Sequence, residues 1–316
     1  MSTAFSFGTD PEFMLHKDGV YKSAIGVIPG TKYKRHKIGQ SSFYYDNVMA
    51  ECTVQPASNK EEVLKNIKAT LGLFANLSKP YRLKAQASQN YPETELTHKD
   101  ALAIGCDREY CAYALREIEP PEDDFVKGTL RSAGGHIHTG LKHAQDQLGC
   151  LAVIRAMDLF MGIPSVFLDK DKTSKARKAL YGKAGRFRKP PHGAEYRSMS
   201  NFWLASPELT ELTYDLTQAA VDYVVDGGYA QHWSIDEKRL LDEKSWEEDD
   251  FDPADCHVCN GYDVRKLRAA IDNMDKKLAK PFLEILKPFV ADKVFHNLEK
   301  LSALKEQPDF YEAWKL

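Results

Sequence analysis

The sequence lacks the features that would direct a protein to a membrane, to export or to nucleic acid. No apolar run approaches the ~18 residues of a membrane span. The first residues, MSTAFSFGTDPEF, show no basic region followed by an apolar one, so we expect no signal peptide. The net charge is −3, which gives no overall positive field for nucleic acid. We therefore expect a cytoplasmic protein that binds no membrane and for which nucleic acid is a disfavoured partner.

Cysteine is also sparse, with 6 residues scattered through 316. Without an export signal, this usage favours reduced thiols over disulfides. Cys256 and Cys259 have C-x-x-C spacing but no second pair, so a solvated loop is favoured over a zinc knuckle. The acidic stretch 242–255 is typical of a solvated linker. Apolar residues at 43% and charged residues at 28% are ordinary for a globular chain.

The first part of the chain, about residues 4–57, is predicted to form strands around a loop at 26–42. A further strand is predicted at 81–88, and the stretch 90–130 is polar and contains prolines. The SAGGHIHTG segment, 132–140, is predicted to form a strand behind two glycines. No internal repeat is visible.

Helices are predicted in the gaps between these strands and after residue 206. Ser58 with Glu61 fits a capping box before an apolar stripe. The other predicted helices cover 145–162, ending before Pro164; Ser206 to Gly227–Gly228; and most of the last 50 residues, with breaks at Pro281 and Pro288. Because strands and helices do not alternate regularly, we expect an α+β fold and a single domain over 1–316, mostly helical from about 206.

Two histidines one residue apart, His136 and His138, point to one face if the segment is a strand. Gly134 and Gly135 before them leave room for a close approach of a ligand or backbone. A short H-x-H also arises by chance, so its meaning depends on other groups aimed at the same place.

Carboxylates with the same spacing occur in other predicted strands. Asp10 and Glu12 share a face, and such a pair repels unless a cation or proton lies between the two groups. Glu51 lies in an apolar strand, where its charge must pair with a lysine or coordinate a metal. Glu195 and Arg197 share a face in a later strand.

A cationic, glycine-bearing loop precedes Arg197 and contains Lys183, Arg186 and Arg188. Such a loop suits a nucleoside triphosphate, with a surface basic loop for RNA as the alternative. Arg197 itself can donate two parallel hydrogen bonds to carboxylate or phosphate oxygens. Hard oxygen ligands with one imidazole favour Mg²⁺ or Mn²⁺ over zinc. Together these groups predict phosphoryl transfer.

With these residues assembled, the chain resembles the phage carboxylate–amine ligase family (type 2) of the glutamine synthetase-like superfamily. The matching stretches are GTDPEF, YYDNVMAECTVQPA, AGGHIHTG and ALYGKAGRFRKPPHGAEYRSMSNFW. The resemblance implies an antiparallel sheet curved into a funnel, with ATP entering one end and the acceptor the other. It also implies that ATP activates a carboxylate as an acyl phosphate, which an amine then attacks.

The resemblance also implies roles for individual residues. The metal ligands would be Asp10, Glu12, Glu51, His136 and Glu195. His138 would lie nearer the nucleotide or substrate, and Arg197 would neutralise the transferred phosphate. Lys183, Arg186 and Arg188 would hold phosphates or the acyl phosphate.

The sequence departs from the family pattern in two respects. Asp10 is shorter than the usual glutamate, and Glu51 is the one clear carboxylate of its strand. Asp46 has the opposite parity to Glu51 if the two lie on one strand, so the number of metal ions stays open.

The sequence predicts an ATP- and Mg²⁺-dependent (or Mn²⁺-dependent) ligase for carboxylate- and amine-bearing substrates, working in a phage host's cytoplasm. Its substrates are small molecules, peptides, proteins or modified nucleotides, and its oligomeric state is open. Two alternatives remain. A metal-dependent hydrolase would use H-x-H but needs further histidines and an aspartate on later strands, whereas His143, His192 and His232 fall at a helix start and in loops. An inert protein would use the fold for binding.

Overall fold

The structure is a computed structural model that describes residues 2–102, 109–118, 128–227 and 263–316. The predicted solvated stretch at 242–255, the Cys256–Cys259 pair and His232 lie outside these ranges.

Strands dominate the first two thirds of the chain. They are β1 (Ser6–Thr9), β2 (Glu12–Lys17), β3 (Val20–Lys22), β4 (Gly30–Thr31), β5 (Lys34–Ile38), β6 (Ser41–Asp46), β7 (Met49–Ala57), β8 (Arg82–Lys84), β9 (Ser88–Asn90), β10 (Glu109–Cys111), β11 (Arg116–Ile118), β12 (Leu130–Ser132), β13 (Ile137–Gly140), β14 (Arg186–Arg188) and β15 (Gly193–Tyr196).

All but two of the described strands join one large sheet, ordered β11-β10-β14-β15-β13-β1-β7-β6-β4-β5. Strand β2 pairs with β3, β7 and β8 off this path, and β9 pairs with β12 in a separate small sheet. The pairings are antiparallel apart from β4 with β6. The predicted mixture of helices with a large antiparallel sheet is therefore confirmed.

Helices follow and cover the sheet. They are α1 (Lys60–Leu77), α2 (Lys99–Leu102), α3 (Gln147–Met157), α4 (Ile163–Leu168), α5 (Ser174–Leu180), α6 (Pro207–Val225), α7 (Val264–Asn273), α8 (Lys276–Leu286), α9 (Asp292–Ser302) and α10 (Phe310–Trp314). From 207 onward every described element is helical, as predicted.

Alternation along the strands separates a core face from a polar face. Phe13 and Phe43 pack on Phe74 of α1, with ring centroids 6.0 and 5.2 Å away. Their neighbours Glu12 and Tyr44 therefore lie on the opposite face, because successive side chains of a strand alternate. Burying the aromatic rings on the helix side leaves the other face for polar chemistry.

Several boundaries differ from the predicted ones. Residues 26–42 contain the β4–β5 hairpin, where a loop was expected. The predicted strand 81–88 is split into β8 and β9. Helix α1 is capped by Asn59, whose side chain accepts from the Glu62 N–H, so the cap is one residue later than Ser58.

The helix expected to stop before Pro164 instead continues to Leu168. A π-helical turn at Asp158–Gly162 joins α3 to α4, and the Ile163 N–H reaches the Asp158 carbonyl. This wider turn shifts the hydrogen-bond pattern where proline cannot donate. Pro281 likewise lies inside α8, because it is exposed and water can solvate the freed carbonyl, whereas Pro288 does end that helix in a 3₁₀ turn.

The segment Gln147–Leu168 is long and apolar enough, by length and composition alone, to cross a membrane. The sequence did not predict this, because Arg155 and Asp158 interrupt its apolar run. In the structure 94% of the 18-residue window that meets this test is buried, so packing in the core accounts for its apolar character.

Candidate active site

Four segments of the chain meet on the polar face of the large sheet. Glu12 of β2 lies directly opposite Glu51 of β7. His138 of β13 lies opposite Glu195 of β15 and, on its other side, opposite Gly8 of β1. Distant parts of the sequence are thus aligned by strand register, which places their side chains side by side.

The two histidines converge on one carboxylate. Asp10 Oδ1 lies 3.2 Å from His136 Nδ1 and 3.1 Å from His138 Nε2. Burial opposes ionisation of Asp10, but the charge of His138 and hydrogen bonds from both rings outweigh it and hold the pKa of Asp10 well below its usual range. Asp10 is therefore an anion between two imidazoles.

The pKa values of the two imidazoles are shifted in opposite directions. Burial, aided by the positive charge of Arg197, lowers the pKa of His136 to about 3, so this ring is neutral. At His138 burial acts in the same direction, but the charge and hydrogen bond of Asp10 prevail and raise its pKa. A neutral ring is the form that ligates metals.

Glu12 and Glu51 form a second acidic pair beside Asp10. The Gly134 N–H donates to Glu12 Oε2 at 2.6 Å, and the Tyr44 hydroxyl donates to Glu51 Oε1 at 2.6 Å. Burial raises the pKa of Glu12 to about 7, and burial with the charges of Glu12 and Asp10 raises the pKa of Glu51 well above its usual range. The crowding means that a proton or a cation must accompany these carboxylates.

One cluster has the geometry of a metal site. Ligand atoms of Asp10, His138 and Glu195 all lie within 4.8 Å of one another. This group contains His138, which the sequence placed nearer the nucleotide, whereas Glu12, Glu51 and His136 lie outside it. The Nε2 atom of His136 is buried without a hydrogen-bond partner among the described residues, next to the backbone of Gly134.

A Cβ atom at Gly134 would lie 2.5 Å from His136 Nε2. Glycine is therefore required there for the ring to keep its position. This is the physical reason for one of the two glycines that precede the histidine strand.

Arg197 is buried between carboxylates. Its Nη1 donates to Glu195 Oε1, its Nε donates to Glu109 Oε2 at 3.3 Å, and its Nη2 donates to the Tyr181 hydroxyl. The predicted Glu195–Arg197 pair is thus in direct contact. Burial and the charge of Asp10 raise the pKa of Glu195 to about 7.

The three cations of the preceding loop are placed differently. Arg186 Nε lies 3.7 Å from Glu109 Oε1, and its buried Nη1 has no hydrogen-bond partner in the described chain. Arg188 Nη1 lies 3.8 Å from Glu195 Oε1. Lys183 is exposed, and its carbonyl accepts from the Ser198 hydroxyl at 2.7 Å. The two arginines of β14 therefore line the acidic cluster.

Four residues of the site were not identified from the sequence. Glu109 lies in the stretch 90–130, for which the sequence indicated only polar character and prolines. Arg177 lies in the short helix α5, which resembles a surface helix in sequence. Arg177 is 1% exposed, and its guanidinium donates to the carbonyls of Ala133 and Ser198. The other two are Tyr44 and Tyr181, which carry no charge pattern to mark them.

Asp46 corrects the parity argument. Strands β6 and β7 form a hairpin in which Tyr44 is opposite Glu51 and Asp46 is opposite Met49. Because opposite residues share a face, Asp46 lies on the face of Glu51. It is 3.1 Å from Lys32 Nζ, and its charge contributes to the raised pKa of Glu12. The lysine partner considered for Glu51 is absent among the described ion pairs, and Glu51 is held by Tyr44 instead.

These features define an α+β protein with a buried acidic, imidazole- and arginine-containing site on an antiparallel sheet. Residues 129–226 match the family model described as phage phiEco32-like COOH.NH2 ligase-type 2. The resemblance predicted from the sequence is confirmed over these residues, which include the AGGHIHTG segment and the stretch up to α6. No curated protein matches the chain. The family supports a ligase enzyme that acts on carboxylate and amine substrates in general.

Proposed function

We propose that this protein is an ATP-dependent carboxylate–amine ligase that requires Mg²⁺ or Mn²⁺ and forms an amide bond through an acyl phosphate. The observation that carries the proposal is the contact of Arg197 with Glu195, which belongs to the Asp10–His138–Glu195 cluster. Such a site presents cations to phosphate oxygens and carboxylates to metal ions at one place.

The residues fit a divalent metal. Oxygen donors with one imidazole nitrogen suit Mg²⁺ or Mn²⁺. Asp10, His138 and Glu195 would hold one ion, and the crowded Glu12–Glu51 pair would hold another. His136 Nε2, buried and without a partner in the described chain, is the further nitrogen available to an ion. Bound metal would neutralise the phosphate oxygens of ATP.

The arginines would hold the triphosphate. Arg186 has a buried donor without a partner in the described chain, and Arg188 lies within 3.8 Å of Glu195. Exposed Lys183 would reach phosphates farther from the metals. Arg197, held from two sides by Glu109 and Glu195, needs little reorganisation to meet charge on the transferred phosphoryl group.

The proposed reaction has two steps. A carboxylate oxygen of one substrate attacks the γ-phosphorus of ATP, the bond to the β-phosphate oxygen breaks, and ADP leaves. The amine nitrogen of the other substrate then attacks the acyl carbon, phosphate leaves with the C–O bond electrons, and the nitrogen loses a proton. In both steps the chain positions the reactants and stabilises charge.

We further propose that the sheet is the funnel of the glutamine synthetase-like superfamily, that 1–316 is one ligase domain, and that it works in the host cytoplasm. The antiparallel order of the sheet and the placement of the acidic face on it support the first of these.

The test is metal-dependent release of phosphate from ATP. We expect slow release with Mg²⁺ and none in excess chelator. Glu12→Gln keeps an oxygen that accepts from Gly134 but removes a charge from the metal site, so its phosphate release should be lost while its melting temperature is retained. The exposed Glu299→Gln is the matched control and should behave as the unchanged protein.

Full phosphate release by Glu12→Gln, or equal release in chelator, would refute metal-assisted phosphoryl transfer. A metal-dependent hydrolase would ignore ATP, and an inert protein would show no turnover. Among the described histidines, His192 lies near His138 with the ring centroids 5.6 Å apart, yet no further imidazole joins the metal cluster that a hydrolase would need. Mass spectrometry of products formed with ATP and host extract would identify the substrates.

A further inference from the structure

A basic hairpin forms one end of the large sheet. Strands β4 and β5 are joined by a turn at Lys32–Tyr33, and β5 is the last strand in the sheet order of the described chain. Tyr33 is 95% exposed. Four consecutive residues of β5 are basic and exposed: Lys34, Arg35, His36 and Lys37.

This hairpin is connected to the acidic cluster by direct contacts. The Arg35 guanidinium carbon lies 4.4 Å from the ring centroid of Tyr44. The Tyr44 hydroxyl donates to Glu51 Oε1 at 2.6 Å, and Glu51 lies opposite Glu12. A row of side chains therefore runs across one face of the sheet, from the basic edge to the metal-binding carboxylates.

A second row runs beside the first. Lys37 is opposite Ser42, and Ser42 is opposite Thr53. Because side chains two residues apart share a face, Lys37 lies on the face of Arg35, and Thr53 on that of Glu51. Thr53 Oγ1 is buried without a hydrogen-bond partner among the described residues. The face between the hairpin and the acids thus carries two exposed cations, Arg35 and Lys37, and a buried threonine hydroxyl.

The positive charge of the hairpin is largely uncompensated. Lys32 is paired with Asp46 at 3.1 Å. Within the described chain, the ion pairs include no acidic partner for Lys34, Arg35 or Lys37. An uncompensated cationic strand attracts an anionic partner.

We propose that the hairpin at residues 30–38 binds a carboxylate-rich peptide segment in extended form, and so delivers a side-chain carboxylate to the acidic site. An unpaired sheet edge suits an extended chain, whose side chains alternate with the same period of two as Arg35 and Lys37. The peptide supplies in one molecule both the anions that the hairpin recognises and the carboxylate that the ligase requires. This inference rests on the proposed function for the fate of the carboxylate, but not for binding.

Basic residues on an edge strand also have a simpler use, since charge of either sign prevents edge-to-edge aggregation. The two accounts differ in the sign of the charge that they require on the edge strand: prevention of aggregation needs either sign, whereas binding of a carboxylate-rich peptide needs positive charge. Replacing the cations by glutamates retains a charged edge but repels a carboxylate-rich peptide. The substitutions Arg35→Glu and Lys37→Glu therefore separate them.

The experiment measures binding of fluorescein-labelled hexaglutamate by fluorescence anisotropy, without nucleotide or metal. We expect it to bind far more tightly than labelled hexaglutamine. The Arg35→Glu/Lys37→Glu variant should bind at least about tenfold more weakly, because like charges then face each other. The control variant Lys65→Glu/Lys68→Glu makes the same change in net charge on the exposed face of α1 and should bind as the unchanged protein. Circular dichroism checks that both variants fold.

Equal binding of hexaglutamate and hexaglutamine, or unchanged binding by the Arg35→Glu/Lys37→Glu variant, would overturn the inference. Tighter binding of an oligothymidylate of equal charge would overturn it in favour of nucleic acid. The same measurements test the proposed function separately. If the unchanged protein turns over ATP with metal but does not bind hexaglutamate, only the hairpin site is refuted. Hexaglutamate binding without ATP turnover would refute the ligase alone.

Discussion

At the scale of single residues, Arg197 forms hydrogen bonds within the site and, in the proposed reaction, stabilises charge on the phosphoryl group. Its guanidinium is held by Glu109, Glu195 and Tyr181. Lysine at this position would keep the charge but lose the planar fork. We expect Arg197→Lys to lower ATP turnover by roughly two to three orders of magnitude, as for loss of one preorganised donor. Apparent ATP affinity, measured in the same assay, should change much less because Arg186 and Arg188 remain.

A purely structural role for Arg197 predicts a different pattern. In that case Arg197→Lys would lower the melting temperature, and the molecules that stay folded would turn over normally. Arg155→Lys provides the comparison, since buried Arg155 donates to the Ala112 carbonyl at 2.9 and 2.7 Å. If the two variants showed the same loss of stability with intact turnover, Arg197 would be a structural residue only.

At the scale of secondary-structure elements, the start of α1 shows which of two neighbouring residues, Ser58 or Asn59, caps the helix. The Asn59 side chain accepts from the Glu62 N–H at 2.9 Å, and its own amide donates to the Glu62 carboxylate at 3.3 Å. We expect Asn59→Ala to lower the free energy of unfolding by about 1 kcal/mol, as typical for a lost N-cap. Ser58→Ala should change it little, and urea denaturation of both variants decides between the two caps. The reverse order would restore the capping box predicted at Ser58 and Glu61.

The elements show which sequence signals are local. Helix α6 starts at Pro207 after the Ser206 cap, as predicted, because cap and first turn are neighbours in sequence. The stop expected at Pro164 was wrong because a fully buried π-helical turn accommodates the proline. Local rules therefore identified helices well and their ends less well where burial intervenes.

At the scale of the whole molecule, a buried hydrogen bond between Tyr196 and Asp158 is among those that join the helical layer to the sheet. The Tyr196 hydroxyl of β15 donates to Asp158 Oδ1 at 2.6 Å, in the π-helical turn. Glu195, the preceding residue, lies on the opposite face in the acidic site. Burial raises the pKa of Asp158 from 3.8 to about 6.

This raised pKa links stability to pH. Between pH 3.8 and about 6 the folded protein retains a proton that the unfolded chain releases, so this group's contribution to stability falls as pH rises. Asp158→Asn accepts the same hydrogen bond without titrating. We expect the free energy of unfolding of the variant, minus that of the unchanged protein, to rise by up to about 3 kcal/mol between pH 4 and 7.

Urea denaturation of both proteins across this range measures the difference, and the exposed Asp292→Asn controls for loss of one carboxylate. Parallel stability profiles for Asp158→Asn and the unchanged protein would show that Asp158 stays ionised in the fold.

The sequence by itself determined three pairs of residues two apart, on the rule that such residues share a face of a strand. Asp10 with Glu12, His136 with His138 and Glu195 with Arg197 could each be identified from spacing alone. In the structure one member of each pair, Asp10, His136 or Arg197, lies just outside the strand that holds its partner. The family resemblance, too, was readable from short ordered stretches, and the family match over residues 129–226 confirms it.

Only the tertiary structure decided which groups meet across strands. Strand register sets Glu12 opposite Glu51 and places Asp46 on the same face, and it brings His138 to Glu195. The pairing of β10 with β14 places Glu109 within hydrogen-bond distance of Arg197. The β4–β5 hairpin places the Arg35 guanidinium over the Tyr44 ring. Between strands that are distant in the sequence, register is a long-range property fixed by burial of one whole face of the sheet, whereas in the β6–β7 hairpin the short turn sets it.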